Sequence, residues 1–283
     1  MEHNREERKM ADKSIVSNEK LAAIAQAIKA KDATATLPMT VDEMAAAIAA
    51  IPTGGGGTDL LTLRAAGEPY TYTNDEIVMV PGYAFCMDKC LEEINLGSAT
   101  EIYDCAFDGC VSLQELNAPQ LESLYAYALR NCIGLTHLDM DNIVAIYESC
   151  FGADGADTVP GITEFVLPAC DTIFDFAFCG NMDDPTASYW PMTKLDIGTE
   201  GVNRSASIGT GALFALDAWA GENGDSGTLI IRFNRVATLS QDTLSNYPNI
   251  IVYVPDSLVS SYQAARGWSD APDQIKGLSE LPA

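Results

Sequence analysis

One pattern of apolar and small residues recurs along the chain, and this recurrence constrains the fold more than any other feature. A large apolar residue follows directly after a small residue and five positions after an aliphatic residue. The large residues are Phe85, Phe107, Leu129, Phe151, Phe178, Leu213 and Leu244. The first three steps are each 22 residues long, and the next three, of 27, 35 and 31 residues, contain insertions. The pattern predicts a solenoid, in which each unit buries its apolar face against the next unit.

A second part of each unit predicts a short strand. Apolar residues follow the large residue after six, nine and eleven positions, as in Leu113, Leu116 and Ala118. The last two are separated by two positions, which is the period of a strand with one buried face. The same spacing resumes after an insertion at Phe165 and Leu167. The small and large residues that precede each strand fit a tight turn or a helical turn on the opposite wall.

The unit at residues 102–119 reads I-x-x-x-A-F-x-x-C-x-x-L-x-x-L-x-A-P. Over residues 77–255 this motif resembles the BspA-type, or treponemal-type, leucine-rich repeat. The resemblance implies a leucine-rich-repeat solenoid of short parallel strands joined by turns and short helices. It also implies a non-enzymatic binding or adhesion protein, because members of the family are mostly surface proteins that bind partners.

The front of the chain has a different pattern. Leu21, Ile24 and Ile28 lie on one face of a predicted helix, and Thr40 with Glu43 forms a capping box at the start of a second helix. Two helices of this size cannot bury a core alone, so we expect the hairpin to self-associate or to dock on another protein. The predicted segments are a disordered leader at 1–13, a helical hairpin at 14–52, a Gly-rich linker at 53–59, the solenoid of about seven repeats at 60–255, and a capping helix with a tail at 256–283.

Residues 21–31 and 39–48 resemble a helical module near the start of tail and fibre proteins of gut bacteriophages and prophages. This resemblance implies a tail-fibre-like protein that recognises a host-surface ligand, attaches to other tail proteins through residues 14–52, and forms a homo-oligomer, a trimer by analogy. An ordinary helical hairpin remains the alternative for these residues. The alternative for the whole chain is a bacterial leucine-rich-repeat surface adhesin or a general interaction module.

The charge and the hydropathy of the chain narrow the range of partners. The formal net charge is −24, and a field of this sign repels phosphate, so we expect neither nucleic acid nor anionic lipid as a partner. No segment approaches the roughly 20 apolar residues of a membrane helix, and the charged start resembles no secretory signal. The sequence therefore predicts no membrane insertion and a location in the virion or in the cytoplasm of the producing bacterium.

Motifs that carry chemistry are missing from the sequence. There is no G-x-S-x-G elbow, no P-loop and no H-E-x-x-H. The eight cysteines form no C-x-x-C pair, so we expect no zinc site. Cys110, Cys132 and Cys150 fall on the apolar ladder, and we interpret these three as buried side chains. The acidic turns at 152–157 and 183–184 match no complete calcium loop. We predict no enzyme, no cofactor and no metal.

A binding surface is predicted where strand residues alternate outward. One outward position recurs between the inward residues, and a second recurs just before them. Exposed tryptophans in the later insertions can stack against sugar rings, although a merely solvated sheet is the alternative. The predicted ligand-binding residues are Asn95, Asn117, Asp139, Asp196, Arg232, Glu115, His137, Trp190 and Trp219. Their ligand is predicted to be a neutral or basic host-surface glycan or protein.

Overall fold

A computed structural model of the protein describes residues 60–152, 161–179, 192–224 and 226–282. The predicted leader, hairpin and linker lie outside these residues. The described chain forms three parallel sheets and three α-helices. The helices are α1 (Leu60–Ala66), α2 (Phe214–Asn223) and α3 (Val259–Ala264), and the 3-10 helices are Leu244–Asn246, Asp256–Leu258, Pro272–Gln274 and Leu278–Glu280.

The strands alternate between sheets along the chain. Sheet A contains β1 (Tyr70–Thr73), β3 (Leu91–Asn95), β5 (Glu115–Asn117) and β7 (His137–Leu138). Sheet C contains β9 (Glu164–Leu167), β11 (Lys194–Ile197), β13 (Gly227–Ile231), β15 (Ile250–Val254) and β16 (Ile275–Gly277). Sheet B contains β2 (Met79–Val80), β4 (Glu101–Ile102), β6 (Ser123–Leu124), β8 (Ala145–Ile146), β10 (Thr172–Ile173), β12 (Ser207–Ile208) and β14 (Thr238–Leu239).

Each turn of the chain adds one strand to sheet A or C and one to sheet B. In the regular part the register advances by one repeat, since Glu93 pairs with Glu115 and Ile102 pairs with Leu124. This is the predicted repetition of short parallel strands, with a two-residue strand on a second wall. A tight turn or a helical turn was expected at that wall, and the two-residue strand was not predicted.

The core is a ladder of the large residues that define the repeat. All seven predicted positions are fully buried, which confirms the alignment of the repeats. Phe85 and Phe107 stack with ring centroids 5.0 Å apart, and Phe151 and Phe178 stack at 5.6 Å. Each of these rings packs against the equivalent ring of the next unit, so neighbouring units stabilise one another.

The chain reverses direction on both sides of the large residue by using the left-handed region of φ. Two positions before it, Tyr83, Cys105 and Tyr127 have φ values of 62°, 55° and 58°. Two positions after it, Met87 and Asn131 have φ values of 58° and 59°. Such values are uncommon for residues other than glycine. The repeated hydrogen bonds of the coil hold these residues in that conformation, as when the Phe107 nitrogen donates to the Ala128 oxygen at 2.9 Å.

Both ends of the described solenoid are closed by buried polar contacts. At the first end, the Asp88 carboxylate pairs with Arg64 at 2.7 Å and accepts a hydrogen bond from the Tyr70 hydroxyl at 2.5 Å. At the last end, the Tyr262 hydroxyl accepts from the Ala237 nitrogen at 2.9 Å. The Trp268 indole donates to the Ala237 oxygen at 2.8 Å. The tail therefore satisfies both backbone groups of a residue that has no further repeat beside it.

The three cysteines predicted to lie in the ladder, Cys110, Cys132 and Cys150, are fully buried. Seven of the eight are buried, and the eighth, Cys90, is partly exposed. The Cys110 thiol donates to the Phe85 oxygen at 2.9 Å, and the Cys132 thiol repeats the contact one unit later with Phe107 at 3.1 Å. Burial raises the pKa of Cys105 to about 12, so the thiol stays protonated and behaves as a small apolar group.

Candidate functional site

The outward side chains of sheet A form two parallel rows, which we call the sheet A face. The strand register places Glu93, Glu115 and His137 in one row. It places Asn95 beside Asn117 in the other, and Asp139 follows directly after β7. Neighbouring strands of a sheet are about 4.8 Å apart, so equivalent side chains of successive repeats lie within hydrogen-bonding reach of one another.

The amides of the second row hydrogen-bond along the solenoid axis. The Asn117 Nδ2 donates to Asn95 Oδ1 at 2.8 Å. The Asn95 Nδ2 donates in turn to Glu93 Oε1 at 2.8 Å and to Thr73 Oγ1 at 3.3 Å. The two amide hydrogen bonds that cross between repeats, from Asn117 to Asn95 and from Asn95 to Thr73, therefore both run toward the first repeat. The two asparagines are only partly exposed, and part of the hydrogen-bonding capacity that the sequence suggested for a ligand is used between repeats.

The direction of these bonds leaves acceptors at the far end of the row. The next position after Asn117 is Asp139, whose carboxylate has no hydrogen to donate to the Asn117 oxygen. The Asp139 side chain is 33% exposed and lies 3.7 Å from Nε2 of His137, which is 54% exposed. Glu115 is exposed beside them. Asn117, Asp139 and Glu115 thus offer oxygen atoms to a ligand that carries N–H or O–H groups.

Asp196 and Arg232 differ from the expectation of an open outward row on sheet C. The Arg232 guanidinium binds the Asp196 carboxylate with two hydrogen bonds of 2.7 Å each, and Asp196 is buried. This hydrogen bonding raises the pKa of Arg232. Ile230 and Tyr253, at the same outward position of the next strands, are also buried. Asp196 is therefore not the exposed residue that alternation alone predicts, because Arg232 replaces the water it would otherwise bind.

The sequence predicted a contribution to ligand binding from two tryptophans, Trp190 and Trp219. Trp219 was expected in an insertion loop, whereas the structure places it within α2. The local reason is an uninterrupted helical run that ends at Gly224, which adopts a left-handed cap with φ 67°. Trp190 lies outside the described residues, so its predicted contribution to binding stays a prediction.

Sequence reasoning missed an aromatic ladder on sheet B. Tyr103, Tyr125, Tyr147 and Phe174 each follow an inward aliphatic residue of this sheet and stack on one another. The ring centroids are 4.6, 4.5 and 4.4 Å apart. The signal was present in the sequence, because three tyrosines recur at the repeat spacing directly after the aliphatic residue.

Glu101 binds the first two hydroxyls of this ladder. Tyr103 donates to Oε2 at 3.1 Å and Tyr125 donates to Oε1 at 3.2 Å. Partial burial and the Glu101 carboxylate together raise the pKa of Tyr125 to about 12. The Tyr125 hydroxyl therefore remains a donor at neutral pH. The shared carboxylate holds the stacked rings of Tyr103 and Tyr125 in place at the first end of the ladder.

Among the described residues, no group of three or more His, Cys, Asp or Glu side chains is placed to hold a metal ion. No helix of the described chain is long and apolar enough to span a membrane.

Comparison with known families agrees with the strand pattern. Residues 78–181 match the family described as BspA type leucine rich repeat region, in six copies. This segment is similar to BspA-type repeats. The matched residues include all strands from β2 to β10, and thus the aromatic ladder and most of the sheet A face. Leucine-rich repeats of this kind are generally non-enzymatic binding modules. No curated protein matches the chain.

Proposed function

We propose that the chain is a non-enzymatic adhesion protein that binds a host-surface glycan or protein through the sheet A face. The observation that carries the proposal is the end of the amide row, where Asn117 and Asp139 present acceptors with no donor between them. A ligand with hydroxyl, amide or ammonium groups complements this surface. The net charge of −24 favours a neutral or basic ligand over an acidic one.

The proposal predicts that Asn117→Ala combined with Asp139→Ala weakens binding by about tenfold or more, since two or three hydrogen bonds to the ligand are lost. Labelled full-length protein is applied to a panel of bacterial cells and to an array of neutral, basic and acidic glycans. The stability should change by less than about 1 kcal/mol, because both side chains are partly solvated and the Asn95 oxygen regains water.

A matched control carries the same loss of charge on another wall. Ser123→Ala combined with Glu148→Ala removes one polar group and one carboxylate from sheet B or its following turn. This control should bind as the unmodified protein does. If both double variants bind as the unmodified protein does, or if both lose binding to the same extent, the ligand does not bind at the sheet A face.

The setting of this binding activity is the finer part of the proposal. We favour a phage or prophage tail-fibre-like protein, with residues 14–52 attaching it to tail proteins or joining three copies, on the resemblance of residues 21–31 and 39–48. The alternative is a bacterial surface adhesin with the same repeats. In the first case, light scattering of the full chain should give an oligomer, and Ile24→Asp with Ile48→Asp should reduce it to a monomer. A monomer in both samples would contradict the joining of copies through residues 14–52 and would leave docking on a tail protein as the only role proposed for them.

A further inference from the structure

The aromatic ladder of sheet B ends abruptly at Phe174. The backbone nitrogen of each ladder residue donates to the strand of the preceding repeat, as when Phe174 donates to the Ile146 oxygen at 2.9 Å. By the same hydrogen bond, the next two positions are Gly209, which donates to Ile173 at 2.7 Å, and Ser240, which donates to Ile208 at 2.9 Å. The backbone hydrogen bonds of the ladder therefore continue through Gly209 and Ser240, but neither residue carries an aromatic ring.

Gly209 is required at this position by the close approach of the neighbouring backbone. A Cβ atom on Gly209 would lie 2.5 Å from the carbonyl carbon of Phe174, which is too close for any side chain. One face of the Phe174 ring covers Tyr147. Because Gly209 takes the next position in the row, the opposite face of the ring lies on the side of Gly209. Phe174 is 40% exposed. Among the described residues, Tyr147 is the only aromatic ring in contact with Phe174.

The surface beside this ring carries small polar residues. Ser207 and Thr238 are paired in register on β12 and β14, and both are exposed. Ser240 is exposed next to Gly209. The exposed ring face and these three hydroxyls form a step on sheet B, which we call the Phe174 step. It combines a flat apolar wall with a floor of hydroxyl groups at about the 4.8 Å spacing of strands.

The chemistry of the step identifies the class of ligand. A pyranose ring has an apolar face of C–H groups and a rim of hydroxyls, so it matches an aromatic wall and a hydroxyl floor together. An aromatic side chain from a protein partner would use the wall but leave the floor to water. The carboxylates at the borders are Asp175, which is exposed, and Asp171, which pairs with Arg204 at 3.1 Å. They disfavour a negatively charged sugar.

We propose that the Phe174 step binds one pyranose ring of a neutral polysaccharide, with the sugar stacked on Phe174 and its hydroxyls bonded to Ser207, Thr238 and Ser240. The step lies on sheet B, on a different sheet from the residues of the proposed adhesion site. It does not depend on that site, and the two sites can fail independently.

The experiment titrates the full-length protein by calorimetry with four neutral hexasaccharides, made of α-glucose, β-glucose, mannose and N-acetylglucosamine, and with hexagalacturonate as the acidic probe. At least one neutral hexasaccharide should bind, and hexagalacturonate should bind more weakly. Phe174→Ala and Phe174→Leu should each weaken that binding by about tenfold, because both remove the flat wall. The leucine variant keeps apolar contact with Tyr147 if the alanine variant folds poorly.

Two controls separate this site from a general effect. Phe174→Tyr keeps the ring face and should retain binding, and Asn117→Ala with Asp139→Ala should also retain it because those residues lie on sheet A. Several results would overturn the proposal. The first two are that no neutral hexasaccharide binds, or that Phe174→Leu binds it as the unmodified protein does. The other two are that hexagalacturonate binds as tightly as the neutral sugars, or that only the sheet A double variant loses binding of the sugar.

Discussion

Replacing Phe107 by alanine should lower the free energy of unfolding by about 3–5 kcal/mol. The ring is fully buried and stacks on Phe85 with 5.0 Å between the centroids. Its loss leaves a cavity in the middle of the ladder, where the repeats on both sides contribute the walls. Because every repeat depends on its neighbours, the loss is felt beyond the unit that carries the substitution.

Urea denaturation followed by circular dichroism measures this effect. The matched control is Phe174→Ala, which makes the same change in side chain at an exposed position of the same solenoid. The control should lose clearly less, about 1–2 kcal/mol, because the ring is partly solvated in the folded state although it stacks on Tyr147. Similar denaturation midpoints for the two variants would contradict the assignment of Phe107 to the core.

Replacing Trp268 by alanine should have a comparable effect, about 3–5 kcal/mol on the part of the solenoid that it closes. The indole is fully buried, packs against Tyr262 at 5.2 Å, and donates to the Ala237 oxygen. Its removal opens a cavity and leaves a backbone carbonyl unsatisfied. Both effects act at the last turn of the repeat array, where no further unit compensates for them.

Hydrogen exchange tests where this loss occurs. In Trp268→Ala, amides of β15 and β16 should exchange much faster, while those of β3 and β5 change less because they belong to distant repeats. Trp268→Phe separates the two effects, since it refills most of the cavity without restoring the hydrogen bond. It should recover more than half of the lost stability. If the amides of β15 and β16 are as well protected in Trp268→Ala as in the unmodified protein, the tail does not close the core.

The sequence was sufficient for the features that repeat. Phe107 and its equivalents keep a constant spacing from a small residue and from an aliphatic residue. They therefore take the same inward position in every stacked unit. The inward residues of β3, such as Ile94, follow from the alternation of a strand with one covered face. A two-residue strand such as β4 could not be predicted, because two residues are too few to show any period.

The outward residues were predicted less well, because alternation indicates direction but not what a side chain meets. Asp196 faces outward and is nevertheless buried, since Arg232 from the next strand binds both of its oxygens. Asn117 is in the predicted row, but its amide hydrogen is bound by Asn95. Contacts between repeats depend on side chains separated by 22 or more residues, and only the register reveals them.

The Phe174 step illustrates the same limit. The tyrosines that lead to Phe174 recur at the repeat spacing and could have been found in the sequence. The ladder stops at Phe174 because the next position in the row is Gly209. That position follows from an irregular repeat of 35 residues. Insertions obscure the alignment where the pattern changes, which is also where the new surface is formed.

Hydroxyl-radical footprinting of the full chain, free and bound to the cells or glycans selected in the binding screen, tests the binding role of the sheet A face most directly. His137 is a reactive and exposed probe on the sheet A face, while Met79 and Met87 are exposed probes elsewhere. Binding should protect His137 strongly and leave the two methionines oxidised as in the free protein. Unchanged oxidation of His137 together with protection of the methionines would contradict the assignment of binding to the sheet A face.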